Sequence, residues 1–195
     1  MAHKVICYGD SNTYGACGFV GGRHPADSRW TGIIQNSGLY DVVNLGENGR
    51  EIPSDQWELN ELTEILRREG DFDLLAVMLG TNDLLENPDF TAVDVAKRME
   101  RFLKRLMEEA GLASRKMKLR LIAPPAMQEG AWADRPELLT ESRNLGKEYQ
   151  RIARRVGVAF TDASGWEIPV IYDGVHFTED GHRIFVEKIR EEIRI

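Results

Sequence analysis

Val5-Ile6-Cys7-Tyr8-Gly9-Asp10-Ser11 is an apolar run that stops in a tight polar turn. Its apolar residues do not alternate with polar ones, the mark of a parallel strand covered on both faces. The strand is read at Lys4–Tyr8. Ser11 therefore sits where a buried strand must end, and a hydroxyl in that place becomes a nucleophile only if a base reaches it from elsewhere. The search outward from this stretch is a search for that base.

Four further runs read as strands: Asp41–Asn44, Leu74–Leu79, Lys118–Ile122 and Val158–Thr161. Helical spacing lies between them. A helix is expected from about Trp30 to Asn36, and another within Asp55–Glu69, with Leu59, Leu62, Ile65 and Leu66 on one stripe. Thr91 can cap a third, in which Val95, Met99, Phe102, Leu103 and Leu106 recur at helical spacing. Its Lys97, Arg98, Arg101, Lys104 and Arg105 read as a solvated face. Helices from about Leu138 to Arg155 and from about Glu179 to Arg194 complete the series. Five strands alternating with helices predict an α/β fold: one parallel sheet with helices on both faces. No repeat or linker divides the chain, so residues 1–195 are read as one domain.

The composition agrees. The chain has 195 residues, 42% hydrophobic and 29% charged, enough for one full core. Its net charge of -7 argues against a phosphate-tracking surface, and so against nucleic acid. No apolar run is long enough to span a bilayer, and Met1-Ala2-His3-Lys4 leads straight into a strand with no signal peptide. There are two cysteines, Cys7 and Cys17. That sparse use fits a reducing compartment, and a cytoplasmic protein is expected.

In an open parallel sheet the functional loops leave the C-terminal ends of the strands. Here they carry Ser11, Gly49 and Asn82. A serine, a glycine with a bare N–H and an amide side chain are the parts of an acyl-transfer site. Ser11 would attack a carbonyl while the N–H groups of Ser11 and Gly49, with the Asn82 amide, hold the oxyanion. Of the four histidines, His3 lies near the terminus, His24 in an open segment, and His182 inside the last helix, where it reads as surface. His176 follows Asp173 by three residues, in a loop after the last strand. At that spacing the carboxylate can fold onto one imidazole nitrogen and leave the other for Ser11.

Taken in order, these residues resemble the SGNH hydrolases, also called GDSL esterases or lipases. Gly9-Asp10-Ser11 matches the first block of that family, Val43-Asn44-Leu45-Gly46-Glu47-Asn48-Gly49 the second, Gly80-Thr81-Asn82-Asp83 the third and Asp173-Gly174-Val175-His176 the last. The resemblance is nearest to the arylesterase and acyltransferase branch, through Arg29-Trp30-Thr31-Gly32 and Asp173–Thr178. It implies a three-layer α/β/α sandwich with a flavodoxin-like, five-stranded parallel sheet. It implies catalysis by Ser11, His176 and Asp173, an oxyanion hole of Ser11, Gly49 and Asn82, and no metal or organic cofactor. The partner implied is a small-molecule ester, with no nucleic acid and no membrane. A homo-oligomer follows by analogy with the branch.

The resemblance has departures. Asn12 stands where many members have an apolar residue, and its side chain is expected beside the nucleophile, shaping the acyl pocket. Ala16 is small where an aromatic sometimes stands. Trp132, in the long loop after the fourth strand, is the expected pocket wall, and Tyr172 and Val175 flank the Asp173–His176 loop. Trp30, Trp57 and Trp166 read as packing. Asp10 reads as a turn-holding acceptor and Asp83 as structural. The leading expectation is a serine esterase for short acyl (acetyl-type or aryl) esters. A carbohydrate O-acetylesterase or an acyltransferase would use the same triad. A non-catalytic flavodoxin-like module, with Asp10–Gly15 cradling a phosphate, would leave Asp173 and His176 without a purpose.

Overall fold

The computed structural model describes residues 2–18, 21–111 and 118–193. Its elements follow the alternation expected: β1 (His3–Gly9), α1 (Ser11–Tyr14), α2 (Trp30–Gln35), β2 (Tyr40–Gly46), α3 (Gln56–Glu69), β3 (Leu74–Met78), α4 (Thr81–Glu86), α5 (Ala92–Glu109), β4 (Lys118–Ala123), α6 (Pro136–Val156), β5 (Ala159–Asp162) and α7 (Glu179–Glu192). The strands pair in parallel in the order β2-β1-β3-β4-β5. The expected strand bounds move by a residue or two. The expected end of the last helix at Arg194 lies outside the described residues.

The apolar runs are unbroken because both faces of the sheet are covered. Along β1, Ile6 and Tyr8 join the cluster under α3, α5 and α6, while Val5 and Cys7 join the cluster under α2 and α7. β3 divides the same way, with Leu75 and Val77 on one side and Leu74, Ala76 and Met78 on the other. Side chains alternate across a strand, so both parities must be apolar here. Complete burial pushes the Cys7 thiol up to about 12, which leaves it a small core residue.

The helices begin where the sequence offers caps. Asp55 and Thr91 each form a capping box, with Glu58 and Asp94, and Gly157 closes α6 in the left-handed conformation. Two short helices were not expected. α1 and α4 span four and six residues at the ends of β1 and β3, too short for a periodic pattern to register. The sequence order 2-1-3 in the sheet puts a switch point between β1 and β3, so the loops after β1, β2 and β3 converge at one edge. Among the described residues no helix is long and apolar enough to cross a membrane.

Candidate active site

Ser11 is the first residue of α1, and the turn before it is built by Asp10 and Gly9. Asp10 caps α1: its Oδ1 accepts the Asn12 N–H at 3.0 Å, and its carbonyl accepts from Thr13 and Tyr14. Burial pushes the Asp10 carboxyl up to about 6, against the lowering pull of the Asn12 N–H, His176 and Arg50. Gly9 has no room for a side chain, since a Cβ there would lie 2.2 Å from Thr13 Oγ1 and 2.8 Å from the Met78 carbonyl. β1, β3 and α1 therefore approach as closely as backbone allows, and Ser11 is held at their junction.

Gly49 lies in the turn after β2 with φ of 74°, where a side chain would be strained. Asn82 is in the first turn of α4, and its Nδ2 donates to the Arg50 carbonyl at 3.0 Å. An amide nitrogen carries two hydrogens, so a second remains. The next residue, Asp83, is fully buried. Its Oδ2 accepts the Ile52 N–H at 3.0 Å and its Oδ1 lies 3.1 Å from the Arg98 guanidinium. Burial pushes this carboxyl up to about 6 despite Arg98. Asp83 thus ties the third loop to the second, the structural part expected of it.

His176 is set by Asp173. Its Nδ1 lies 2.7 Å from Asp173 Oδ2, and Asp173 Oδ1 accepts the N–H groups of Val175 at 2.8 Å and His176 at 3.0 Å. A carboxylate only accepts, so a neutral imidazole in this contact carries its proton on Nδ1 and leaves the Nε2 lone pair free. The loop after β4 holds this turn from behind. Gln128 N–H donates to the Gly174 carbonyl and Trp132 N–H to the Asp173 carbonyl. A Cβ on Gly174, whose φ is 81°, would lie 2.1 Å from the Gln128 carbonyl.

Ser11, Gly49, Asn82, Asp173 and His176 all line one cavity of about 390 Å³, together with Ala16, Cys17, Gly18, Gly21, Gly22, Asn48, Glu86, Trp132 and Tyr172. Residues that carry a hydroxyl, an imidazole backed by a carboxylate, a bare glycine N–H and an amide line one space, and these are the elements of acyl transfer. The GDSL-like lipase/acylhydrolase family model matches residues 7–184. The chain belongs to that family. It is a carboxylic ester hydrolase, and solved structures of esterases share its fold. The native aryl esterase of M. smegmatis is 26% identical with a TM-score of 0.83, covering 99% of each chain. A carbohydrate acetylesterase family member from Sinorhizobium meliloti is 25% identical with a TM-score of 0.85, covering 98% of this chain and 97% of that one. No curated protein matches the sequence.

Within this hydrolase, two residues expected at the substrate do not line the cavity. Asn12 turns away from it. Its Nδ2 donates to the Val175 carbonyl at 3.0 Å, its Oδ1 accepts the Phe177 N–H at 2.9 Å, and its own carbonyl accepts from Trp30 Nε1 at 3.1 Å. The amide is spent on the backbone either side of His176. Val175 is buried with the core instead. Trp132 and Tyr172 do stand at the cavity, both more exposed than buried, and the Trp132 ring meets the His176 ring edge-on at 5.1 Å. Glu47 points outward and pairs with Arg50.

Two further readings change. His182 is fully buried rather than on the surface, with its Nδ1 3.4 Å from the Trp30 N–H and its ring 5.3 Å from those of His24 and Phe177. Burial and the neighbouring His24 and Arg29 push it down to about 3. Its spacing with Phe185, Val186 and Ile189 is the apolar stripe of α7, a signal the sequence did carry. Trp57 is not packing: it is 70% exposed. Arg50, next to Gly49, is a functional residue that the sequence reading lacks, although a basic residue beside a proposed oxyanion glycine is a visible cue.

Proposed function

We propose that this hydrolase is a serine esterase for short-chain acyl esters, acting through an acyl-enzyme on Ser11. Ser11 Oγ attacks the ester carbonyl and its proton passes to His176 Nε2. Asp173 holds the imidazole in the tautomer that can accept it and stabilises the imidazolium that forms. Negative charge on the carbonyl oxygen meets the N–H groups of Ser11 and Gly49 and the free Nδ2 hydrogen of Asn82. As the intermediate collapses, His176 returns the proton to the departing alcohol. Water then attacks the acyl-enzyme with His176 again as base.

The observation that carries this reading is the sharing of one cavity by Ser11, Gly49, Asn82 and a His176 already bonded to Asp173. Ala16 and the glycines at 18, 21 and 22 leave room around Ser11 for a small acyl group. An acetylated sugar is the second reading. The exposed faces of Trp132 and Tyr172 with the Glu86 carboxylate suit a polar alcohol, and one similar structure is of a carbohydrate acetylesterase family member. Both cysteines are free, which fits a reducing cytoplasm.

Hydrolysis of p-nitrophenyl acetate tests the assignment. Ser11→Ala is expected to lower kcat by more than about a thousandfold. Asn82→Ala is expected to lower it by about a hundredfold or more. Full activity in Ser11→Ala contradicts the proposal. Acetylated sugars run beside p-nitrophenyl esters of rising chain length separate the two substrate readings.

A further inference from the structure

Arg50 touches the ends of β1 and β2 and the start of α4. Its Nη1 donates to the Gly9 carbonyl at 3.0 Å and to the Leu45 carbonyl, and its Nη2 pairs with Glu47. Its guanidinium lies over the Tyr8 ring, 4.4 Å from the centroid. The side chain is only 18% exposed. Its own carbonyl accepts the Asn82 Nδ2 hydrogen at 3.0 Å. One residue thus grips the end of β1 just before Asp10 and Ser11, the end of β2 just before Gly49, and the amide that starts α4.

We infer that Arg50 is a positioning residue that sets the three oxyanion donors relative to one another. The inference rests on the proposed roles of Ser11, Gly49 and Asn82. The physical chain is short. The Gly49 N–H and the Arg50 carbonyl are separated only by the backbone rotations of Gly49 and Arg50, so anchoring the Arg50 side chain on β1 and β2 restrains both. The carbonyl then fixes one Asn82 hydrogen, and the planar amide fixes the direction of the other. An oxyanion hole works because its donors are already placed when charge develops, and misplacement of about 1 Å costs on the order of a hundredfold in rate. Arginine suits the task. Its rigid fork can serve two carbonyls and a carboxylate while its face stacks on a ring, whereas lysine offers a point charge on a flexible stem.

The test compares Arg50→Met, Arg50→Lys, Asn82→Ala and the Arg50→Met/Asn82→Ala double variant, each checked for folding by circular dichroism. The readouts are kcat and KM for p-nitrophenyl acetate and the inhibition constant of benzeneboronic acid, which forms a tetrahedral adduct with an active-site serine. Arg50→Met is expected to lower kcat by about ten- to a hundredfold with KM little changed, and to weaken the boronic acid by the same factor. In the Asn82→Ala background the same change is expected to cost several-fold less than in the wild type, because the part of its effect that passes through Asn82 is already lost. Wild-type kcat in folded Arg50→Met, a loss confined to KM, or a full multiplicative loss on top of Asn82→Ala overturns the inference. If Arg50→Met does not fold, Arg50→Lys decides. A smaller loss with the same split supports the inference, and wild-type kcat with unchanged boronic acid affinity overturns it. An impaired Asn82→Ala beside an unimpaired Arg50→Met sinks only the role of Arg50. A fully active Ser11→Ala sinks the esterase reading itself.

Discussion

Asn12 is buried beside Ser11 with both polar atoms of its side chain engaged. It adjoins Ser11, which suggested a place in the acyl pocket, yet both ends of its amide are committed to the backbone of residues 175 and 177. It joins the nucleophile turn to the loop that carries His176. Replacing it with leucine leaves the buried Val175 carbonyl and Phe177 N–H without partners, at about 1–3 kcal/mol each. Asn12→Leu is therefore expected to lower the midpoint of denaturant unfolding and to cut kcat by about tenfold or more as His176 drifts. The ratio of rates across p-nitrophenyl esters of different chain length should stay as in the wild type. A changed chain-length preference with stability intact would return Asn12 to the pocket. Local spacing makes Ser11, Asp173 and His176 legible, since the last two lie three positions apart. The partners of Asn12 lie more than 160 positions away, and no local pattern encodes them.

At the level of elements, the strands and long helices could be read because their periods repeat. α5 carries Val95, Met99, Phe102, Leu103 and Leu106 on its buried face, as expected. α1 and α4 are too short to repeat anything, so they were read as loops, although they carry Ser11 and Asn82. α7 holds the clearest misreading. His182 looked polar and therefore exposed, yet it occupies the stripe that packs α7 beside α2. A neutral histidine buried there has a consequence for stability. Its proton affinity is depressed to about 3 in the folded chain, below the ordinary value of 6.5. Between those values the unfolded chain binds a proton that the folded chain does not. Stability therefore rises with pH across that window and is lost as pH falls through it, at about 1.4 kcal/mol per pH unit for one proton. Asp10 and Asp83, pushed up to about 6, act in the opposite direction, favouring the folded chain on acidification between about 4 and 6. His182→Gln should remove about one proton from the pH dependence of the unfolding free energy between pH 3 and 6.5. An unchanged slope in the variant would place the acid sensitivity elsewhere.

Across the whole molecule, the order β2-β1-β3-β4-β5 brings distant stretches of chain to one sheet edge. A parallel, flavodoxin-like sheet is what the family resemblance implies and right-handed crossovers leave few arrangements, while the order itself comes from the structure. It explains why Ser11, Gly49 and Asn82 meet: each follows a neighbouring strand at its C-terminal end. His176 reaches them from a loop after β5, braced by the loop after β4. What the sequence did not yield is the set of ties between these loops, by Arg50 and Asn12, since each is a contact between surfaces that only folding brings together. The central claim is that these ties serve a nucleophilic Ser11. Incubation with a fluorophosphonate, followed by digestion and peptide mass spectrometry, tests it most directly. One adduct per chain, on the peptide that contains Ser11 and absent from Ser11→Ala, is the predicted result. A wild-type chain that hydrolyses p-nitrophenyl acetate while Ser11 stays unlabelled, or an adduct on another residue, would contradict it.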